Sequence, residues 1–187
     1  TNETIKGWYK DYIKTLLNHT NYYTGEKLMD SEAVFSWELS NEPRCTVDEF
    51  CKDDILYNWA KEMSAYVKSI DPYHMVSVGD EGFYNVGYQE AARQDLPSSA
   101  YSGYYGVDFD KLMTIETVDF GTPHMYVDQW GFDLGDDDLE WIKRHAQTTS
   151  SADKPIIFEE FGLTDKTKRD AAYSDWLDIV TGDYYEG

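Results

Sequence analysis

Polar side chains capable of chemistry stand at the ends of four apolar segments of the sequence. The four places are Asn41 and Glu42, Asp80 and Glu81, His124 and Tyr126, and Glu159 and Glu160. Two carboxylates that face each other across a cleft suit acid–base or nucleophilic chemistry at a glycosidic bond. One must be protonated to donate to the leaving oxygen, and the other must be ionised to attack. Glu42 and Glu160 are far apart in the sequence, so only a folded rim could bring them together.

The positions of these residues in space depend on a predicted alternation of strands and helices. Four segments dense in apolar and aromatic residues are predicted as strands: 33–39, 74–80, 118–127 and 155–162. Helical spacing of apolar residues predicts a first helix from an N-cap at Thr4 to Leu16, followed by helices over 53–69, 136–150 and 166–180. Such alternation, with continuously apolar strands, favours an α/β fold with parallel strands and crossover helices. The carboxyl ends of those strands would form one rim.

The residues alone leave two alternatives open. Each acid could cap the helix that follows its strand, although four such sites together favour a common rim. Adjacent strand residues point to opposite faces, so only one of Glu159 and Glu160 is expected to face the rim, and the spacing does not say which. Residues 82–108, rich in Gly, Tyr and Ser, are predicted as a long loop with one short helical turn, and loops of that length are usually functional.

Composition and charge exclude several classes of protein. The chain has 187 residues, 41% hydrophobic and 28% charged, which is ordinary for one globular domain. Its 16 Lys and Arg against 36 Asp and Glu give a formal charge of −20, which argues against nucleic acid and anionic membranes as partners. No uncharged apolar run approaches the roughly 18–20 residues of a membrane span. Aromatic residues, at 16%, are frequent enough to line a binding cleft.

Smaller motifs give expectations about compartment and metals. Cys45 and Cys51 lack a zinc-binding spacing, and their closeness favours a small disulfide over two free thiols. Sequons at Asn2 and Asn18 agree weakly with secretion, whose leader would lie outside this sequence. Four aspartates within residues 133–138 raise a calcium-dependent structural domain, but their spacing does not fit an EF-hand loop, and a solvated helix start is favoured.

Four segments together resemble one known family. They are WELSNEPRC at residues 37–45, GDEGF at 79–83, DFGTPHMYVDQWG at 119–131 and KPIIFEEFG at 154–162. In this order they resemble the fungal-type β-mannanases of glycoside hydrolase family five, over nearly the whole chain. The resemblance implies a retaining hydrolase on a TIM (β/α)₈ barrel. It implies endo-hydrolysis of β-1,4-mannosidic linkages in mannan, glucomannan or galactomannan, with some transglycosylation and no cofactor or metal.

The resemblance also implies roles for the residues around the glycosidic bond. Glu42 matches the general acid/base, and Glu160 matches the nucleophile because it immediately precedes an aromatic residue and glycine. Asn41 matches the residue that touches the 2-hydroxyl of the sugar at the cleavage site. His124 and Tyr126 match the pair that flanks the nucleophile and positions it.

Further positions match contacts on the leaving-group side of the cleft. Trp130 resembles an aromatic platform, and Arg44 and Glu81 resemble sugar contacts. Arg44 would also favour transfer to an acceptor sugar over hydrolysis. With Glu160 as nucleophile, Glu159 is expected to be a buried or helix-side acid that needs a partner.

The chain departs from the family in its length. A complete barrel has eight strands and about 250 residues, whereas the four predicted strands match strands four to seven. We therefore expect residues 1–187 to be a single catalytic barrel domain that is incomplete at both ends, as a fragment, a processed piece or a segment of a longer, secreted enzyme. The full barrel would be a monomer acting on β-mannan or manno-oligosaccharides. Alternatives are a relative acting on cellulose or short manno-oligosaccharides, and an inactive carbohydrate-binding remnant.

Overall fold

The computed structural model describes residues 2–46, 51 and 54–182, which form an arc of short strands backed by helices. In chain order the elements are α1 (Glu3–Leu17), a 3₁₀ turn (Leu28–Asp30), β1 (Ser36–Glu38), α2 (Ile55–Ile70), β2 (Met75–Ser77), α3 (Tyr88–Arg93), α4 (Ser98–Tyr101), α5 (Phe109–Leu112), β3 (His124–Tyr126), α6 (Val127–Trp130), α7 (Asp137–Ser151), β4 (Glu160–Gly162) and α8 (Arg169–Thr181). The predicted α/β alternation is confirmed.

The strands pair in parallel and follow one another in sequence order. β1 pairs with β2, and β3 pairs with β4, where His124 lies opposite Glu160. Two backbone hydrogen bonds join the pairs: the Asp119 amide donates to the Val76 carbonyl at 2.8 Å, and the His124 amide donates to the Glu81 carbonyl at 3.1 Å. Glu42 and Glu81 follow β1 and β2, whereas His124 and Glu160 are the first residues of β3 and β4. The predicted rim residues therefore do not all lie beyond the carboxyl ends of their strands.

The strands are shorter than the sequence predicts, at three residues each. Side chains take the place of backbone partners between β2 and β3. The Val76 amide donates to Asp119 Oδ2 at 2.6 Å, and the Gly79 amide donates to Thr122 Oγ1 at 3.2 Å. Because these bonds replace backbone-to-backbone bonds, the regular ladder is interrupted there, and the arc divides into two two-stranded sheets.

The helices lie close to their predicted positions, with one wrong cap. α1 is capped by Asn2, whose side-chain oxygen accepts from the Thr4 amide at 2.9 Å, so the predicted N-cap at Thr4 is wrong. α2 begins at Ile55, and the predicted start at Asp53 lies outside the described residues. Its predicted apolar stripe is buried at Leu56, Ala60, Met63 and Val67.

Residues 82–108 contain two helices, α3 and α4, where the sequence predicts a single helical turn. Aromatic packing explains the additional order. The rings of Tyr84 and Tyr101 stack with centroids 5.5 Å apart, and both meet Trp141 of α7 edge-on. The Arg144 guanidinium lies over the same two tyrosines. The segment is thereby held against α7 and forms a fixed wall beside the strand ends.

Large apolar side chains are exposed at both ends of the arc. Phe35 beside β1 is 62% exposed, and Phe161 in β4 is 42% exposed. On α1, Ile5, Trp8 and Tyr12 form an exposed stripe at helical spacing. Exposed strand edges and apolar stripes of this kind mark surfaces that pack against further protein. Within the residues that the structure describes, no helix combines the length and apolar character needed to cross a membrane.

Candidate active site

Glu42 stands just beyond β1 in a left-handed backbone conformation, with φ of 48°. Its amide donates to the Gly79 carbonyl at 2.8 Å, which ties the turn to the end of β2. A non-glycine residue in this region costs on the order of 1 kcal/mol, and such strain concentrates at functional sites. The turn brings Glu42 Oε1 to 3.0 Å from His124 Nδ1. The carboxylate that follows β1 is thus placed against the first residue of β3.

Glu160 approaches the same nitrogen of the His124 imidazole. Its Oε2 accepts from the Tyr126 hydroxyl at 2.7 Å and lies 3.6 Å from His124 Nδ1. The hydrogen bond to Glu160, together with burial, raises the pKa of Tyr126 to about 12, so the hydroxyl stays protonated and donates at neutral pH. His124 itself is 1% exposed. The structure therefore brings Glu42, His124, Tyr126 and Glu160 together, as the sequence predicts.

The two carboxylates are close enough for direct attack. One oxygen from each of Glu42 and Glu160 and one nitrogen of His124 all lie within 4.8 Å of one another. Retaining glycosidases hold their carboxyl groups about 5–5.5 Å apart, whereas inverting enzymes need about 6.5–9.5 Å to admit a water. The same trio could hold a divalent cation, but that ion would occupy the oxygens that a nucleophile and an acid need free. The absence of a metal stays a prediction.

Arg44 and Glu81 form an ion pair beside Glu42. Both Nε and Nη2 of Arg44 contact Glu81 Oε1, and Nη2 lies 3.5 Å from Glu42 Oε2. Burial raises the pKa of Glu81, while the Arg44 charge opposes that rise. Glu81 Oε2 is buried without a hydrogen-bond partner among the described residues. Arg44 is thus shared between the rim and a buried acid, and a polar hydrogen on a ligand could satisfy the remaining oxygen of Glu81.

An aromatic wall continues from this ion pair. The Trp130 ring lies 4.8 Å from Phe83 and 6.0 Å from Tyr126, between centroids. Tyr105 stacks on Phe83 at 4.6 Å, and the Arg44 guanidinium lies 4.5 Å above the Tyr105 ring. Sequence reasoning did not single out Tyr105, and its only signal was the Tyr-rich composition of residues 82–108. Exposed Asn41 directly precedes Glu42 at the same rim.

Glu159 does not lie where the sequence predicts. Its side chain is 28% exposed rather than buried or helix-side, and its Oε2 lies 3.9 Å from His124 Nε2. Partial burial and the neighbouring carboxyl of Glu38 on β1 raise the pKa of Glu159 to about 8. Glu160 lies at the Nδ1 edge of His124 together with Glu42, whereas Glu159 lies at the Nε2 edge. The expectation that only one of the two adjacent acids faces the rim stays a prediction.

Asp138 corrects the interpretation of the aspartate-rich segment. This residue is 1% exposed, so the segment is not simply a solvated helix start. Its Oδ1 accepts from the Gly135 amide at 2.7 Å, and its Oδ2 accepts from Trp176 Nε1 at 2.6 Å. Asp138 therefore joins the start of α7 to α8 as a structural acceptor. The predicted disulfide between Cys45 and Cys51 is present, and it closes the segment that follows Glu42.

Comparison with known proteins agrees with this geometry. The family model described as "GH family 5 beta-mannosidase-like" matches residues 1–186. A probable mannan endo-1,4-beta-mannosidase F from Aspergillus flavus is 40% identical over 87% of this chain and 32% of its own length. A mannan endo-1,4-beta-mannosidase A from Aspergillus aculeatus is 37% identical over 99% of this chain and 45% of its own length.

Solved structures give the same result. The crystal structure of an endo-1,4-beta-mannanase from Rhizomucor miehei superposes with a TM-score of 0.85 at 37% identity, over 96% of this chain and 50% of that one. The endo-beta-1,4-mannanase from Thermotoga petrophila gives 0.83 at 39% identity, over 96% and 39% respectively. The chain therefore spans about a third to a half of the length of these relatives. On the sequence match and the superposition together, the chain belongs to glycoside hydrolase family 5 and is related to its endo-β-1,4-mannanases.

Proposed function

We propose that this chain carries the catalytic part of a retaining endo-β-1,4-mannanase. The observation that supports the proposal most strongly is the pair of carboxylates, Glu42 and Glu160, that approach one buried imidazole from two strands. Their short separation favours double displacement over single displacement. The substrate class is taken from the relatives, which are mannan endo-1,4-beta-mannosidases.

In this mechanism Glu160 attacks the anomeric carbon while Glu42 protonates the leaving oxygen. The Tyr126 hydroxyl orients the attacking carboxylate through Glu160 Oε2. His124 Nδ1 contacts Glu42 Oε1 and holds that carboxyl group in place. The glycosyl-enzyme ester is then hydrolysed when Glu42, now ionised, removes a proton from water. Water attacks the same anomeric carbon, and Glu160 leaves as the carboxylate.

Residues beside Glu42 and Glu160 are placed where they could contact the substrate. Asn41 is proposed to contact the 2-hydroxyl at the cleavage site, since it adjoins Glu42 on the exposed rim. Trp130 is proposed as an aromatic platform, with Arg44 and Glu81 as polar contacts on the leaving-group side. A sugar bound there could accept the glycosyl group in place of water, which would give transglycosylation.

We further propose that the chain supplies strands four to seven of a barrel and that the other strands are supplied elsewhere in the working molecule. Support comes from the exposed Phe35 and Phe161 at the two ends of the arc and from the partial coverage of the relatives. The domain would then be one catalytic barrel, of which this chain is incomplete at both ends. The disulfide agrees with a secreted enzyme, because disulfides persist in oxidising compartments.

The first experiment is release of manno-oligosaccharides from soluble β-mannan, with carboxymethyl cellulose in parallel and the intact mass of the purified molecule measured alongside. Release from mannan alone, by a molecule heavier than 21.7 kDa, is the expected result. Release from cellulose would instead assign the chain to a relative with another substrate. Mannan binding without turnover, by folded protein, would assign it to an inactive carbohydrate-binding remnant.

A further inference from the structure

Helix α7 places two polar rings against the backbone beside the rim. Trp141 and His145 lie about one turn apart on its buried face, and both are 0% exposed. The Trp141 indole donates from Nε1 to the His124 carbonyl at 2.8 Å. The His145 imidazole has Nε2 2.8 Å from the Gly82 carbonyl. One helix therefore contacts both the backbone that begins β3 and the backbone that follows β2.

The contact between His145 and Gly82 requires a residue without a side chain at position 82. Gly82 has φ of +87°, and a Cβ there would come within 2.3 Å of His145 Nε2 and 2.9 Å of Pro123 Cβ. The Gly82 amide donates to Asp80 Oδ2 at 3.0 Å. Gly82 is thus bonded within its own turn through the amide and contacts α7 through the carbonyl, which together fix the turn that carries Glu81.

The His145 proton is needed by Gly82 rather than within the helix. Nδ1 lies 2.7 Å from the Trp141 carbonyl, so both ring nitrogens of His145 face carbonyl oxygens. Burial lowers the pKa of His145 to about 4, and a neutral imidazole has one N–H to donate. In an α-helix the carbonyl four residues back is the regular acceptor of the backbone amide, so the Trp141 carbonyl already has a donor. The Gly82 carbonyl is therefore the acceptor that needs the imidazole proton, on Nε2.

The Trp141 contact leads directly to the carboxyl groups of the site. His124, whose carbonyl accepts from Trp141, has Nδ1 3.0 Å from Glu42 Oε1 and 3.6 Å from Glu160 Oε2. Any shift of the His124 backbone would move the imidazole relative to both carboxyl groups at once.

The Gly82 contact leads to the ion pair beside Glu42. Glu81 precedes Gly82, and its carbonyl accepts from the His124 amide at 3.1 Å. The buried Glu81 side chain pairs with Arg44. If the Gly82 carbonyl lost its donor, the turn could rotate and carry the Glu81 carboxyl away from Arg44.

We propose that Trp141 and His145 are positioning residues: Trp141 holds the imidazole that meets both carboxyl groups, and His145 holds the turn that presents Glu81 to the arginine. This inference deepens the proposed function and rests on it for its kinetic meaning. A displacement of about 1 Å that originates away from the chemistry can cost about 10²-fold in rate. Trp141 should therefore affect bond cleavage itself, whereas His145 should affect sugar binding on the leaving-group side.

The kinetic tests use the enzyme with a complete barrel and two substrates. One is a manno-oligosaccharide that spans the cleavage site, and the other is a nitrophenyl glycoside of mannobiose, which has no sugar on the leaving-group side. Trp141→Phe keeps an aromatic ring beside Trp130, whose centroid is 5.5 Å away in the wild type, and removes the N–H. It should lower kcat per folded molecule by about 10- to 100-fold on both substrates, with KM little changed.

Trp176→Phe is the matched control for Trp141→Phe. It also removes a buried indole bond, to Asp138 Oδ2 at 2.6 Å, and keeps an aromatic ring. It should lower the free energy of unfolding without changing kcat or KM for either substrate. A merely structural role for Trp141 would give the same result in both variants.

His145→Leu keeps a buried side chain and removes the N–H. It should raise KM for the manno-oligosaccharide by about 10-fold, because the contacts of Glu81 and Arg44 with the leaving-group sugar are disturbed. The nitrophenyl substrate should be little affected. His145→Gln carries an amide N–H to about the place of Nε2 and should recover most of the loss. Loss of packing alone would instead affect the two variants alike.

The structural part of the inference can be tested by NMR without substrate. In ¹⁵N-labelled wild-type protein at pH 7, we expect the His145 proton on Nε2 and slow exchange of the Trp141 indole proton with solvent. The Arg44 Nε–H signal should stay near its wild-type position in His145→Gln and move in His145→Leu. Neither variant has the imidazole ring, so the difference between them reports the bond to Gly82.

Two results would overturn the inference. One is a wild-type His145 that carries its proton on Nδ1 at pH 7, a measurement that needs no variant and so does not depend on how the variants fold. The other is kinetic: His145→Leu slows both substrates equally, or Trp141→Phe behaves like the Trp176→Phe control. If the wild type left mannan uncleaved while the NMR results were as expected, the proposed function would fail and the positioning of the turn by His145 would stand.

Discussion

Asp80 should be a source of instability at neutral pH, and Asp80→Asn should remove it. The residue follows β2, is 0% exposed, and has Oδ2 accepting from the Gly82 amide at 3.0 Å. Its Oδ1 is buried without a hydrogen-bond partner among the described residues. Burial raises the pKa of Asp80 from 3.8 to about 7, with the negative charges of Glu81 and Glu38 adding to the rise. Asparagine has the same shape and can keep the bond to Gly82 without carrying a charge.

The magnitude follows from the difference between the folded and unfolded states. Between pH 3.8 and about 7 the folded protein keeps a proton on Asp80, whereas the unfolded chain has lost it. The folded state binds more protons in this window, so the free energy of unfolding falls as pH rises through it. A rise of about three pH units corresponds to about 4 kcal/mol at most. Asp80→Asn should thus be nearly neutral at pH 4 and stabilising by up to about 4 kcal/mol at pH 8.

The assay is urea unfolding of both proteins at pH 4, 6 and 8, analysed as the difference between them. Asp71→Asn is a matched control, because Asp71 is also 0% exposed but accepts from Trp37, Tyr73 and His74. These hydrogen bonds lower its pKa despite burial. A lowered pKa contributes stability that is present above the unfolded pKa and lost in acid. Asp71→Asn, measured additionally at pH 3, should therefore destabilise more at pH 8 than at pH 3. A difference for Asp80→Asn that does not change with pH would refute the reasoning.

Four further outcomes are expected. Glu160→Gln should abolish mannan turnover while circular dichroism and mannan binding persist; surviving turnover would make Glu159 or another acid the nucleophile. Glu42→Gln should slow natural substrates by about 10²–10⁴-fold but slow those with a good leaving group much less, and equal losses on both would remove Glu42 from the acid role. Tyr126→Phe should lower kcat by about 10- to 100-fold with little change in KM, because Glu160 Oε2 loses the hydroxyl that orients it; a change confined to KM would contradict this. Asp138→Ala should lower the free energy of unfolding by about 1–3 kcal/mol in a denaturant titration, since the Trp176 indole N–H is left buried and unpaired, and an unchanged midpoint would show that water replaces the carboxylate.

The rim could be predicted from the sequence because its signal is local. Apolar segments predicted the strands, and alternation with helices predicted parallel pairing, which places the end of every strand on one side. Glu42, His124 and the pair Glu159 and Glu160 were found by this reasoning, and the choice of Glu160 within the pair came from the family resemblance. The disulfide between Cys45 and Cys51 was favoured by closeness in the chain for the same reason.

What could not be predicted depends on side chains that meet across several strands. Glu38 is predicted as an ordinary strand residue, and nothing in its neighbourhood indicates that it will pack against Gly79 or raise the pKa of Glu159. Asp138 reads as one of four solvated aspartates, and its burial depends on Trp176, which lies on another helix. The short length of the strands could not be predicted for the same reason. The Val76 amide donates to a side chain, Asp119 Oδ2, and this bond interrupts the backbone ladder.

The distance between the carboxylates of Glu42 and Glu160 depends on all four strands of the arc. Glu42 follows β1 and Glu160 opens β4, so the two carboxylates come from the first and last strands and are not on neighbouring strands. Their distance is therefore fixed by the curvature of β1 to β4, and His124 on β3 spans the gap. Phe35 and Phe161 remain 62% and 42% exposed at the two ends of the arc, although each contacts a neighbouring aromatic ring. We therefore expect that further protein packed at these two ends would fix the separation of Glu42 and Glu160.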